Sequence, residues 1–337
     1  MRRRTMRFGL RLIEYLGPVP ELVRLAVAGE KAGFDSVWFP HDTFMRHTWV
    51  TTSAVATATE RIRIGSVGTN PYTTHPVELA AYAATLDELS GGRFILGMGL
   101  HTLDMIGWAG VDASDYLQRH REAAHLIRGL WRGEVMEHNG EVFQWGPECY
   151  LRFKPPRPDI PIYLSAFGED FLRLSGEIGD GSLPMITPPA SARQMIAPIR
   201  EGLAARPDPA PDYVVSGCGW LSLSKEKAAA SEVMRNLAAY FGPYLEDHAL
   251  QTIGLSAADF APLRELVDAG RMEEARARVT PDMLRLGITG TPAEVIDQIH
   301  ELADAGVNEV NLGGPLGPDP EEAIRLMGKE VIPAFRD

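Results

Sequence analysis

The stretch from Arg61 to His101 constrains the fold more than any other, because it holds two strands, the helix between them and an irregular loop. Arg61-Ile62-Arg63-Ile64 alternates with the two-residue period of a strand, and the glycines of Gly65-Ser66-Val67-Gly68 predict a bulge at its C-terminal end, with the bend at Gly68. Thr69 to Pro76 has no period and contains Pro71 and Pro76, so it reads as a loop that ends with proline in the first turn of a helix, Val77 to Leu89. Ser90-Gly91-Gly92 stops that helix. Phe94-Ile95-Leu96-Gly97-Met98-Gly99 is an unbroken apolar run of strand length, the pattern of a strand buried on both faces in a parallel sheet.

The same alternation runs through the chain. Met6 to Leu12 and Ser36 to Pro40 read as strands separated by an amphipathic helix, Pro20 to Ala32, that ends at Gly33; a further helix, Trp49 to Thr59, precedes the stretch above. Tyr116 to Trp131 is helical, and Asn139-Gly140 between apolar residues signals a hairpin within Gly133 to Trp145. Strands then follow at Ile162 to Leu164, Gly181 to Met185, within Tyr213 to Leu223 and at Glu309 to Leu312, with helices at Glu169 to Ile178, Ala190 to Leu203 and Lys225 to Tyr240. Thr291-Pro292-Ala293-Glu294 matches a capping box with proline at the first helical position, and Asp319-Pro320-Glu321-Glu322 starts the last helix with the same chemistry. Eight strands alternating with helices predict a single α/β domain over 6–337, a (β/α)8 TIM barrel with insertions at about 132–157 and 241–288. A doubly wound sheet is the alternative, and it loses ground because Gly97-Met98-Gly99 is followed by Thr102 where the dinucleotide fingerprint needs a third glycine. Residues 1–5 read as a disordered extension.

Charge and cysteine content narrow the function. A net charge of −12 argues against a nucleic-acid or anionic-membrane partner, which would need clustered Lys and Arg. Cys149 and Cys218 lie far apart with no metal-ligand spacing, so free thiols in a reducing cytoplasm are expected. An arginine, Arg11, interrupts the apolar stretch a signal peptide would need, and no His cluster at the end of the first strand offers a metal site. No GxSxG, Walker A or HExxH motif occurs. In a barrel the loops after the strands build the active site, which singles out Glu14, His41, Asp42, Asn70, His75, His101 and Asp104. His41-Asp42 offers proton donors and acceptors near neutral pH. Against that stands a capping role for the pair. Glu14 reads as a solvated loop acid ahead of any catalytic role, and His75 before Pro76 as structural. Ser165-Ala166-Phe167-Gly168-Glu169 puts small residues at a helix N-terminus, where N–H groups suit a phosphate, although Glu169 and Asp170 compete for the same end.

Several of these stretches together resemble the luciferase-like flavin and deazaflavin oxidoreductases, most closely the branch that uses 8-hydroxy-5-deazaflavin (coenzyme F420) and includes methylenetetrahydromethanopterin reductase. The carriers are Gly33-Phe34-Asp35-Ser36-Val37-Trp38, Ile64 to Pro76, Ala84 to Phe94, Ile127 to Gly133 and Pro161 to Gly181. The resemblance implies hydride transfer between F420 and a small organic substrate, with FMN-dependent monooxygenation as the alternative and a barrel that has lost its cofactor as a third reading. It implies a cofactor cradle at Val67, Gly68, Thr69 and Asn70 with a cis bond at Val67-Gly68, phosphate binding at Ser165, Ala166, Phe167 and Gly168, and a homodimer formed through the helices after the second and third strands. His41 and Asp42 are the catalytic expectation, with Glu14 and His101 in reserve. The chain departs from the family's common Asp-His order at His41-Asp42, and carries Gly168-Glu169-Asp170 where relatives often have Gly-Pro-Lys.

Overall fold

Successive residues of a strand face opposite sides, and in the first strand that alternation separates two environments. The computed structural model describes residues 6–336 apart from 100–102, 166–167, 246 and 252. In β1 (Arg7–Arg11), Phe8 and Leu10 join the apolar layer shared with the helices, whereas Gly9 faces Asn311 and Ser36 across the interior of the sheet. Next come β2 (Ser36–Pro40), β3 (Arg63–Val67), β4 (Phe94–Gly99), β5 (Met136–Asn139), β6 (Gln144–Cys149), β7 (Ile162–Ser165), β8 (Gly181–Ser182), β9 (Val214–Leu223), β10 (Gly287–Gly290) and β11 (Glu309–Leu316). Parallel ladders run β11-β1-β2-β3-β4-β7-β8, and β9 pairs with both β8 and β11, which closes an eight-stranded parallel barrel with helices outside. The expected (β/α)8 barrel is the architecture.

The caps foreseen in the sequence form. The Thr291 N–H donates to Glu294 Oε2 at 3.0 Å at the start of Pro292–Ala305, and Asp319 Oδ1 accepts from Glu321 N at 2.9 Å and Glu322 N at 3.1 Å. The barrel interior is filled by a separate apolar cluster that includes Trp38, Val67, Ile95, Tyr163, Leu183 and Cys218. Trp38 and Tyr163 meet with ring centroids 5.6 Å apart, and a Cβ on Gly65 would lie 2.0 Å from the Trp38 ring, so the indole lies flat across β3.

Two expectations are corrected. The sixth barrel strand is Gly181–Ser182 and stops short of Met185, because after Leu183 the chain reaches Pro184, which has no N–H for the ladder. The end of the insertion at 241–288 is a ninth strand, β10, laid parallel against residues 220–223 of β9. Two of its four residues are glycines, which hid the strand pattern; at Gly287 a Cβ would lie 2.9 Å from the Trp220 carbonyl oxygen of β9 and would also press on the Met234 side chain. The rest of the insertion is helical, and Phe260, Leu263 and Leu266 build a core of their own with Leu250 and Met283. The hairpin of β5 and β6 turns over more residues than Asn139-Gly140, since Asn139 pairs with Gln144. Among the described residues no helix is long and apolar enough to cross a membrane. The expectation for residues 1–5 lies outside the described residues.

The wider turn has a physical cause. Buried Glu122 accepts hydrogen bonds from Glu141 N at 2.9 Å and Phe143 N at 3.0 Å, and contacts His138 Nε2 at 3.2 Å. Burial alone would push this carboxyl up; the bonds from Phe143, Gln118, His138 and Glu141 outweigh it and hold it at about 2. A carboxylate held below its ordinary 4.5 stabilises the fold above that value and loses the contribution as pH falls toward 2. Glu122→Ala is therefore expected to lower stability at neutral pH by roughly 1–3 kcal/mol in urea denaturation. The difference from the parent should shrink between pH 4.5 and 2; one that does not change with pH would contradict the role given to Glu122.

Candidate active site

The C-terminal ends of the barrel strands form one rim, and candidates among the described residues lie along it. Glu14 opens the turn Glu14–Leu16 after β1, His41 and Asp42 follow β2, Val67 ends β3 with Gly68, Thr69 and Asn70 beyond it, and Ser165 ends β7. Gly168 precedes the helix Glu169–Ile178. His101, Ala166 and Phe167 lie outside the described residues.

The bulge expected in β3 is present. Ile64 and Gly65 pair with Phe94 and Ile95, and the ladder resumes only at the bridge between Thr69 and Met98, so β3 advances four residues while β4 advances three. Ser66 fills the gap: its Oγ accepts from Gly97 N at 3.1 Å. Thr69 then locks the far side, with N and Oγ1 donating to Gly97 O at 3.0 and 2.7 Å and its carbonyl accepting from Gly99 N at 2.8 Å. Gly97 and Gly99 cannot be replaced here without movement, because a Cβ would lie 1.8 Å from Ser66 O and 2.0 Å from Ser165 O, respectively. The cis bond expected at Val67-Gly68 does not form. Gly68 makes the bend with φ +76° and a trans bond, and the one cis peptide among the described residues is Gly314-Pro315.

The bulge also fixes β2. The His41 N–H donates to Val67 O at 3.0 Å, which carries the imidazole to the rim. Its Nδ1 is buried without a hydrogen-bond partner among the described residues, and the ring meets His47 edge-on with centroids 4.8 Å apart. Burial, with a smaller repulsion from His47, pushes His41 down to about 4, so the ring is neutral at physiological pH. Glu14 moves the other way: burial pushes its carboxyl up, against the pull of its own backbone N–H and Arg46. Asp42 is engaged by other groups and half-buried. Asn70 is buried, and its Oδ1 accepts from Tyr72 N, Thr73 N and Thr73 Oγ1 at 2.9 to 3.1 Å, so its carbonyl is spent on shaping the loop. His75 is structural as expected: it caps Pro76–Leu89, accepting from Val77 N at 3.3 Å, and stacks on Trp145.

At the helix Glu169–Ile178 the two acids are drawn aside. Arg173 binds Glu169 at 2.7 Å and Asp170 at 2.9 Å, so both carboxylates are paired rather than lying free over the helix N-terminus. Arg173 supplies a cation in the segment where the sequence departs from the family's lysine; its signal was the three- and four-residue spacing from the acids. The Ser165 hydroxyl donates to Leu183 O at 3.0 Å. Among the described residues no three His, Cys, Asp or Glu side chains gather as a metal site would require.

If the rim depends on the close approach of β3 and β4, Gly97→Ala should destabilise the fold by about 1–3 kcal/mol through overpacking. Gly219→Ala, where a Cβ would meet nothing within 4 Å, is the control and should stay within about 0.5 kcal/mol of the parent. Equal melting temperatures for the two variants would contradict this packing.

Comparison with known proteins bears on the sequence and the fold. The luciferase-like monooxygenase family model matches residues 6–309. The 5,10-methylenetetrahydromethanopterin reductase of Archaeoglobus fulgidus is 31% identical over 336 residues, covering 98% of this chain and 100% of that one. An F420-dependent glucose-6-phosphate dehydrogenase of Amycolatopsis mediterranei is 28% identical, with 96% of each chain covered. Among solved structures, the coenzyme F420 dependent tetrahydromethanopterin reductase of Methanopyrus kandleri superposes with a TM-score of 0.92 at 28% identity, over 98% of this chain and 100% of that one. By sequence and fold the chain belongs to the luciferase-like monooxygenase family.

Proposed function

We propose that this enzyme is an F420-dependent oxidoreductase acting on a small organic substrate at the barrel mouth. The observation that carries the reading is the end-to-end match to the F420-dependent reductase structure, with no segment of that chain left uncovered. The residues present fit a flat ring. Gly68, Gly97 and Gly99 keep side chains away from the bulged edge, and the buried His41 Nδ1 awaits a hydrogen-bond partner. When bound, the deazaflavin supplies or accepts a hydride at C5.

The chain's own residues position the reactants and manage the proton. Neutral His41 is suited to hold a hydrogen bond at the rim, and a group titrating at about 4 is a poor acid at neutral pH. Glu14, held protonated to higher pH by burial, is the better proton store. This assignment moves the acid role from the His41-Asp42 pair to Glu14 and leaves Asp42 to support the loop. The free thiols Cys149 and Cys218 support a reducing cytoplasm. Val50, Tyr82 and Leu89, large apolar side chains exposed on the helices Thr48–Ala58 and Pro76–Leu89, support a homodimer through that face.

Fluorescence titration of the purified protein with F420 and with FMN tests the cofactor. F420 should bind the more tightly; binding of FMN alone would transfer the reading to a flavin monooxygenase, and binding of neither to a barrel without a cofactor. His41→Ala, which removes the hydrogen bond offered to the ring, should weaken F420 binding about tenfold while kcat at saturating F420 stays within a few-fold of the parent. Glu14→Gln should remove the alkaline fall in the rate of the proton-requiring direction, because a carboxyl with a raised value delivers its proton only below that value. An unchanged pH profile in Glu14→Gln would return the acid role to another rim residue.

A further inference from the structure

The barrel interior carries charge at both ends, and only one end is balanced. At the N-terminal end Glu309 is fully buried opposite Arg7, with their charged atoms 3.8 Å apart, and its Oε1 accepts from Asn311 Nδ2 at 3.1 Å. At the C-terminal end stands Arg11, the last residue of β1, only 4% exposed and registered against Trp38 of β2 and Gly313 of β11. Its Nη1 reaches Met185 O at 3.5 Å and Met185 Sδ at 4.0 Å, both at the limit of hydrogen bonding, and its Nε has no partner. Among the described residues no carboxylate forms an ion pair with it. Glu309 cannot serve, since four residues of parallel ladder separate their positions, roughly 13 Å at 3.3 Å per residue.

The surroundings keep room for this guanidinium. A Cβ on Gly313 would lie 2.6 Å from Arg11 Nε and 2.9 Å from Nη2, and one on Gly314 would lie 3.0 Å from the Tyr15 hydroxyl, so two successive glycines of β11 leave space for both polar groups at the mouth. A buried guanidinium without an anion is strongly disfavoured, and its planar fork is matched by a carboxylate. We infer that Arg11 is the substrate-recognition residue of this site and that the substrate carries a carboxylate, held by the Arg11 fork beside the rim. One cation balances one monoanion, which favours a carboxylate over a phosphate dianion. This inference rests on the reading of the barrel mouth as the substrate site of an F420 enzyme.

Isothermal titration of acetate and benzoate against their neutral amides, acetamide and benzamide, at constant ionic strength, tests it on both the cofactor-free and the F420-saturated protein. At least one acid should bind about tenfold or more tightly than its amide, the preference should vanish in Arg11→Met, and Arg11→Lys should keep a weakened preference because the charge stays and the fork is lost. Acids that bind no better than amides, or a preference that survives in Arg11→Met, would overturn the inference. If Arg11→Met does not fold, the parent and Arg11→Lys decide it: an undiminished preference in Arg11→Lys would overturn recognition by the fork. Failure of F420 to bind would overturn the cofactor reading separately, because the cofactor-free titration still reads Arg11.

Discussion

The approach of β4 to its two neighbours sets the shape of the mouth. Gly97 lies against the Ser66 carbonyl and Gly99 against that of Ser165, and at neither contact is there room for one carbon more. The distances follow from the extra residue in β3: once Ser66 has turned its hydroxyl to Gly97 N, Val67 O is free to receive His41 N, and Thr69 re-enters the ladder one residue late. A bulge that re-aims a strand end is a common way to terminate pairing beside an active site. Here it joins β2, β3 and β4 into one rigid edge carrying the candidate ring-binding backbone.

Electrostatics at that edge work through desolvation more than through pairing. His41 is driven to the neutral form and Glu14 toward the protonated form by the same low-polarity surroundings, because burial penalises whichever form is charged. Arg11 adds a buried guanidinium to the same surroundings. An acidic chain thus places a fixed, unbalanced positive charge inside its barrel mouth, a setting that draws anions and orients them.

Much of the fold could be read from residue patterns because each local signal agreed with the others. Apolar runs at Phe94–Gly99, caps at Thr291 and Asp319, and the glycine stop at Gly33 all marked boundaries that tertiary packing kept. β10 escaped because four residues with two glycines carry no period, and only the packing of Met234 and the edge of β9 make them a strand. The hairpin was legible from Asn139-Gly140, but the width of its turn was not, because Glu122, some twenty residues earlier, gathers the turn N–H groups. At the site, positions on the rim were legible from strand order, but protonation was not: desolvation depends on what closes over a side chain, and that is absent from local sequence. Arg11 was visible only as a charge interrupting an apolar stretch. Its meaning needed the register that sets it opposite Gly313 and far from Glu309.

A crystal structure of the protein with F420 bears most directly on the barrel mouth as a deazaflavin site. The deazaflavin ring should lie against Gly68, Thr69 and Asn70 with the His41 imidazole in hydrogen-bond contact and Arg11 left open to a second ligand. A ring bound away from this edge, or F420 held only on the outer surface, would contradict it.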